Sequence, residues 1–264
     1  GTLRDQLTLP LICAPMSLVS GPDLVITACR HGVIGSFPAP NARPIEVLDA
    51  WMARIAAELA ETRRAEPGRR VAPWSLNLVV HSSYDRLGPE LELVERHRPP
   101  IVITALGSPA RVIETVHGYG GLVFADVGSV AMARKAAQAG VDGLILVSTG
   151  AGGHTGSVSP FVFVQAVRQF FDGIVVLAGG LCNGGAIRAA EVAGADLADI
   201  GTLFIAARES LAPDDYRQMV VDAGVDDLVL TKAFTGASAY YLRRSVERSG
   251  LDPDNLSGKT AMDW

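Results

Sequence analysis

The chain has 264 residues, of which 48% are hydrophobic and 19% are charged, and its formal net charge is -5. This length and composition favour one α/β domain with a large buried core over a disordered chain. The acidic balance and the lack of a dense Lys and Arg cluster argue against a nucleic-acid surface. No apolar run approaches the roughly 18 residues that a membrane helix needs, so we expect neither nucleic acid nor a membrane as a partner.

The three cysteines, Cys13, Cys29 and Cys182, are widely spaced and contain no CxxC pair. They indicate neither a disulfide framework nor a zinc site, and we expect a cytoplasmic location with a reducing environment. Histidines and carboxylates do not cluster at successive predicted strand ends, so we expect no bound metal.

Short apolar, β-branched runs alternate with segments of helical length along most of the chain. Strands are predicted over residues 9–14, 33–36, 73–80, 101–104, 121–126, 143–147, 174–180 and 197–202. Helices are predicted to begin near residues 22, 44, 88, 108, 129, 159, 183 and 202. Because right-handed crossovers place every helix outside the sheet, eight such units predict an α/β fold of the (β/α)8 TIM barrel type. A doubly wound open sheet is the alternative.

The alternation loosens after Arg208. A helix is predicted from residue 213, a short apolar run over 228–231, and a further helix around 240–249. We therefore expect residues 1–208 to form the barrel and residues 209–264 to form a C-terminal helical extension packed on it, within a single domain.

One histidine stands in a glycine-rich segment, Gly150-Ala-Gly-Gly-His-Thr-Gly156, directly after the predicted strand 143–147. Glycines let the backbone approach a flat ligand closely, and an imidazole titrates near neutral pH. We predict that His154 is the catalytic base and that Gly152 and Gly153 line the ligand. The other four histidines are predicted to be structural or exposed on loops: His31, His81, His97 and His117.

The next two predicted strands also end in glycine, at Gly179-Gly180 and at Gly201. In this architecture, the ends of the last two strands are a common site for phosphate, and backbone N–H groups at helix starts favour anions. We predict a phosphate-bearing cofactor at these positions: Gly179, Gly180, Ile200, Gly201 and Thr202.

Two more polar residues lie at predicted strand ends. Asn77 stands between Leu76 and Leu78, and a buried amide there needs hydrogen-bond partners that a flat heteroaromatic ring would supply. Asp126 either faces the same rim or caps the helix that follows. A base and a phosphate cradle without a metal indicate that an organic cofactor carries the difficult chemical step.

Five segments together resemble the flavin-dependent nitronate monooxygenases, and the likeness runs from about residue 7 to residue 257. The segments are Leu11-Ile-Cys-Ala-Pro-Met16, Ser75-Leu-Asn-Leu78, Ala151-Gly-Gly-His154, Ala178-Gly-Gly180 and Asp199-Ile-Gly-Thr202. The resemblance implies a TIM barrel that holds FMN, with His154 as the catalytic residue. It places the phosphate at Gly180, Gly201 and Thr202, and the ring near Ala14, Pro15, Met16 and Asn77.

By the same resemblance, the expected reaction is the oxidation of an alkyl nitronate, or of a similar small carbanionic substrate, with O2. The superfamily also includes flavin-dependent enoyl-acyl carrier protein reductases, so an NAD(P)H-dependent enoyl reductase is the alternative. A non-catalytic flavin-binding protein is the third class. We expect a small-molecule substrate and O2 as partners, and a homodimer is compatible with the resemblance.

Two departures from the family pattern concern the substrate side of the flavin. Ala125 stands where relatives often carry His before the aspartate of the fifth strand. Ala239-Tyr240 stands where relatives often carry Gly-Asn before the Tyr-Leu pair near residue 241.

Overall fold

The computed structural model describes residues 2–257, and within them eight parallel strands close into a barrel. The barrel strands are β1 Leu11–Cys13, β2 Ile34–Pro38, β3 Trp74–Val79, β4 Ile101–Ala105, β5 Leu122–Val127, β6 Gly143–Val147, β8 Ile174–Ala178 and β9 Leu197–Ile200. A short strand that is not part of the barrel, β7 Gly153–His154, lies between β6 and β8 in the chain. Strand β9 pairs back to β1, with Leu11 opposite Ala198. This closure confirms the predicted TIM barrel and excludes the open sheet.

Helices follow the barrel strands and pack outside them. They are α1 Pro22–Arg30, α2 Ile45–Ala65, α3 Leu87–His97, α4 Ala110–Gly118, α5 Val130–Ala139, α6 Pro160–Arg168, α7 Gly184–Ala193 and α8 Thr202–Ile205. Short 3-10 helices cover Leu3–Gln6, Ala39–Asn41 and Val225–Asp227. The predicted eighth helix is only one turn long, so it contributes little helix dipole at the end of β9.

Each barrel strand buries both of its faces. Alternate side chains fill the barrel interior, where residues from seven of the strands meet: Ile12, Ile34, Ile101, Ile103, Phe124, Ile145, Val176 and Leu197. The intervening side chains, such as Leu76 and Leu78, belong to the larger layer between strands and helices. Because side chains alternate along a strand, Asn77, Asp126 and Asp199 point into the barrel at its carboxyl end.

The C-terminal region contains α9 Asp214–Asp222, β10 Leu228–Thr231, β11 Ala239–Leu242 and α10 Arg243–Arg248. The predicted helix around 240–249 is wrong in its first part, because residues 239–242 form the middle strand of a small antiparallel sheet in the order β10-β11-β7. Two tyrosines suit a strand paired on both sides, and that pairing overrides the helical pattern. Residues 258–264 of the predicted extension lie outside the described residues. Within the described part, no helix combines the length and apolarity required to cross a membrane.

Candidate active site

His154 lies in β7 and is held by a segment far away in the chain. Its backbone pairs with Ala239 of β11, and its Nε2 lies 3.1 Å from Oγ1 of Thr235. The Thr235 hydroxyl donates to the carbonyl of Ala237 at 3.3 Å, so it is free to accept from a protonated Nε2. This pairing favours the tautomer in which Nδ1 is the proton acceptor. Partial burial lowers the pKa of His154 below its ordinary value, although the side chain remains open to solvent; the imidazole is therefore neutral at pH 7.

The two adjacent glycines after β8 have different roles. Gly179 has a φ of 126°, and a Cβ there would lie 2.4 Å from Oγ of Ser148, so packing alone requires glycine. Gly180 has a φ of 68°, and a Cβ there would meet nothing within 4 Å. Its N–H donates to the carbonyl of Gly150 at 2.9 Å. The space in front of Gly180 is thus open, while its backbone is fixed by the loop that carries His154.

Two more loops converge on this rim, those after β9 and β1. A Cβ on Gly152 would lie 2.9 Å from Oγ1 of Thr202, which brings the loop after β6 against the end of β9. A Cβ on Gly201 would lie 3.2 Å from Sδ of Met16 and 3.5 Å from Cβ of Ala14. The structure therefore brings together predicted site residues from β1, β6, β8 and β9, and side chains at Gly152 or Gly201 would close the gap between them.

The loop after β1, which includes the predicted ring-binding residues Ala14 to Met16, is braced by residues that the sequence did not reveal. Asn41 Nδ2 donates to the carbonyl of Met16 at 2.9 Å, and Asn41 Oδ1 accepts from the N–H of Leu18 at 2.8 Å. Ser20 Oγ accepts from the N–H of Met16 at 3.0 Å. Leu18 has a φ of 60°, which is rare for a non-glycine residue and is maintained by these bonds. The Asn41 partners lie 23 to 25 residues away, so no local pattern indicates them.

Two polar side chains face the barrel mouth as expected. Asn77 is only 7% exposed, and its Nδ2 has no hydrogen-bond partner among the described residues. Asp126 does not cap α5, because the Ser129 side chain accepts from the N–H of Met132 instead. Burial raises the pKa of Asp126 to about 7. The helix-cap alternative for Asp126 is therefore wrong, and its place at the rim stays a prediction.

Two further residues near the barrel mouth are Ile200 and His81. The side chain of Ile200 is 3% exposed and packs in the outer layer with Leu11 and Ala198, while its carbonyl accepts from the N–H of Ala14 at 2.9 Å. Only the backbone of Ile200 is thus available to a ligand. His81, on the loop after β3, places Nδ1 2.7 Å from Oγ of Ser83.

The closed barrel with its glycine-lined mouth makes the chain a TIM-barrel protein whose site is built at the carboxyl ends of the strands, as in barrel enzymes generally. Residues 40–252 match the family model described as nitronate monooxygenase. The chain belongs to this family, which consists of flavin-dependent oxidoreductases.

Three known proteins illustrate the similarity. A protein of Mycobacterium tuberculosis named as a monooxygenase is 33% identical over 67% of this chain and 48% of its own length. A hydroxy-methyl-oxo-octahydroindene-carboxyl-CoA dehydrogenase of Rhodococcus jostii is 26% identical over 98% of this chain and 71% of its own length. The solved nitroalkane oxidase of Streptomyces ansochromogenes has a TM-score of 0.78 at 27% identity, covering 92% of this chain and 79% of that one. The chain thus spans about half the length of the first of these relatives.

The residues at the barrel mouth fit a flavin. The unpartnered Nδ2 of buried Asn77 offers a donor to a heteroaromatic ring. The open space in front of Gly180 accepts a ligand without an intruding side chain, and the hydroxyl of Thr202, at the end of the neighbouring strand β9, offers a donor. Among residues 2–257, no group of three or more His, Cys, Asp or Glu side chains is arranged to hold a metal ion.

Proposed function

We propose that this protein is an FMN-dependent oxidoreductase that oxidises alkyl nitronates with O2. The observation that carries the proposal is His154, a neutral imidazole fixed by Thr235 and Ala239 on the loop that also contacts Gly180 and Thr202. Membership of the nitronate monooxygenase family and the likeness to a nitroalkane oxidase support the same reaction.

Each part of the rim has a task in this proposal. The backbone at Gly179, Gly180 and Gly201 and the hydroxyl of Thr202 would hold the phosphate, with Gly152 and Gly153 close by. Ala14, Pro15 and Met16 would contact the ring, and Asn77 and Asp126 would offer it polar groups from the end of the barrel. A bound flavin supplies the electron acceptor for the oxidation.

His154 acts on the proton of the substrate. Its unprotonated Nδ1 accepts the α-proton of a neutral nitroalkane, and the imidazolium that results faces the nitronate anion. Partial burial supports both steps. It keeps the imidazole neutral before the proton transfer, and it strengthens the attraction between the imidazolium and the nitronate afterwards. A preformed nitronate needs only the second step.

Oxygen uptake by the FMN-loaded protein tests the proposal. We expect O2 consumption with propionate 3-nitronate, and slower consumption with the neutral 3-nitropropionate, since His154 must then remove a proton. Uptake that requires NADPH, or no uptake with either compound while FMN is bound, would overturn the nitronate assignment.

A second candidate is a flavin-dependent oxidoreductase of acyl thioesters, which includes the enoyl reductase alternative. It is favoured by one observation: the relative that covers 98% of this chain is named as a dehydrogenase of a CoA thioester. In this case, NADPH oxidation would depend on an enoyl-CoA such as crotonyl-CoA. A nitronate would then leave the oxygen electrode unchanged.

A further inference from the structure

A buried carboxyl group, that of Glu90, lies outside the barrel in α3. Its side chain is 0% exposed. Its Oε1 accepts from the hydroxyl of Tyr84 at 2.7 Å and lies 3.4 Å from Nη2 of Arg86. In the sequence, Arg86 and Glu90 are spaced like an ordinary surface ion pair on a helix. The burial of the acid distinguishes this pair from a surface one.

Stability alone does not account for a carboxylate at this position. A buried carboxylate loses its hydration, and one arginine compensates for that loss only if the rest of the carboxylate is also hydrogen-bonded. Oε2 of Glu90 is buried without a partner. Apolar replacements of such buried pairs are often neutral or stabilising. The contacts of Arg86 are therefore what distinguish Glu90 from an apolar residue.

Arg86 joins the loop after β3 to the loop after β2. The Nη2 atom that faces Glu90 also donates to the carbonyl of Ala42 at 3.0 Å. Ala42 is fully buried and directly follows the 3-10 helix Ala39–Asn41, and its N–H donates to the carbonyl of Ala39 at 3.0 Å. Glu90 thus orients the guanidinium group that fixes the residue next to Asn41.

Asn41 transmits this restraint to the loop after β1. Its Nδ2 donates to the carbonyls of Met16 and Ser20, at 2.9 and 2.8 Å, and its Oδ1 accepts from the N–H of Leu18 at 2.8 Å. Both amide hydrogens are therefore used. A shift of the Asn41 backbone would weaken all three bonds at once, and the positive φ of Leu18 depends on them.

We propose that Glu90 is a positioning residue that holds the loop after β1 in the shape that receives the flavin ring. It acts through the bond from Arg86 to Ala42, which fixes the neighbouring Asn41. The part about the ring rests on the proposed function, since residues 14–16 are the predicted ring contacts. The ordering of the loop by Glu90 concerns the protein alone.

Hydrogen exchange of the flavin-free protein tests the ordering of the loop. Burial raises the pKa of Glu90 to about 7, so the test is made at pH 8, where the carboxylate form predominates. Glu90→Gln keeps the side-chain size and removes the charge that holds Arg86. With labelling times of milliseconds to seconds, we expect the protected amides of residues 14–20 to exchange about threefold to tenfold faster than in the wild type. Unchanged exchange in a folded variant would overturn the proposal.

Tyr84→Phe is the matched control. It removes the other hydrogen bond to the same carboxyl group, but it leaves Arg86 between Glu90 and Ala42. Exchange of residues 14–20 should therefore stay within about twofold of the wild type. Acceleration equal to that of Glu90→Gln would show that any loosening of α3 reaches the loop, and would overturn the route through Arg86. If Glu90→Gln does not fold, Arg86→Met must show the faster exchange in its place.

The dissociation constant of FMN at pH 8, from quenching of its fluorescence, tests the part that depends on flavin. Asn41→Ala and Glu90→Gln should each weaken binding by about threefold to tenfold, the effect of losing about one hydrogen bond. An unchanged constant in Glu90→Gln would overturn its role in cofactor binding. If exchange behaves as predicted but the wild type binds no FMN, the ordering of the loop stands and the flavin proposal fails.

The double variant tests whether Glu90 acts through Asn41. Among the described hydrogen bonds and ion pairs, none joins Glu90 to Asn41 directly. Independent effects of the two substitutions would therefore multiply. We expect the double variant to bind FMN within about twofold of Asn41→Ala, because the restraint from Glu90 has no effect once Asn41 is removed. Multiplied effects would overturn this route.

Discussion

The Nε2 atom of His154 lies 3.1 Å from Oγ1 of Thr235, which is 81 residues further along the chain. This contact, together with the pairing of β7 and β11, ties the glycine-rich loop after β6 to the C-terminal region. The imidazole is thus oriented by a segment outside the barrel, and its proton chemistry depends on that segment.

Replacing His154 by Asn should separate cofactor binding from catalysis. Asparagine is polar but does not accept a proton near neutral pH, so FMN should stay bound while flavin reduction by a neutral nitroalkane slows by about a hundred-fold to ten-thousand-fold. The measurement is the anaerobic reduction rate with a nitroalkane and with its nitronate. A smaller loss with the nitronate indicates a base, equal losses indicate anion stabilisation, and rates within about threefold of the wild type would remove His154 from the mechanism.

Replacing Thr235 by Val should affect catalysis through the orientation of His154. The substitution keeps the side-chain shape and removes the hydroxyl. One hydrogen bond typically contributes about 0.5–1.5 kcal/mol to the stability of a folded protein. We expect about a threefold to tenfold lower kcat with a neutral nitroalkane, an unchanged melting temperature to within a few degrees, and normal FMN content. A loss as large as that of His154→Asn would show that Thr235 itself contacts the substrate.

Replacing Gly180 by Asp should abolish FMN retention. The side chain would enter the open space in front of residue 180 with a negative charge. Gly180→Asn is the matched control, because asparagine tolerates a positive φ about as well as aspartate and is uncharged. We expect the Asn variant to retain more FMN than the Asp variant, as measured by flavin absorbance after gel filtration. Equal retention by both variants and the wild type would place the phosphate elsewhere.

The flavin-free protein should become less stable as pH rises through neutrality. Asp126 has a pKa of about 7 in the folded protein against about 3.9 in an unfolded chain. The folded state therefore binds more protons, and the stability that this provides is complete below about pH 4 and lost as pH rises through 7. Asparagine does not ionise, so Asp126→Asn removes this loss. Its effect on the free energy of unfolding should be more stabilising at pH 8 than near pH 4, by about 1–4 kcal/mol. Urea unfolding at both pH values measures this difference, and an effect independent of pH would contradict it.

The sequence predicted the barrel well because the barrel is encoded locally. Each strand is a short apolar run bounded by glycine, proline or a helix cap, and these signals remain valid in the folded protein, as the caps at Ser129 and Asn183 illustrate. Strand ends also locate Gly180 and His154 on one rim, because parallel strands in a barrel share an orientation.

Features that depend on distant partners were not predictable in this way. Residues 239–242 form a strand because β10 and β7 lie on either side, not because of their own pattern. The bracing of Met16 by Asn41 likewise requires the fold to bring two loops together. Asp199 had a usable signal, since it follows Leu197 by two positions in a strand whose interior face is apolar.

The most direct test of the central claim is anaerobic mixing of the FMN-loaded protein with propionate 3-nitronate and, separately, with NADPH, while flavin absorbance is followed by stopped flow. If the protein is a nitronate-oxidising flavoprotein, the nitronate alone bleaches the flavin, and admission of O2 restores the colour. Bleaching by NADPH and none by the nitronate would contradict the claim and assign the barrel to the reductase class.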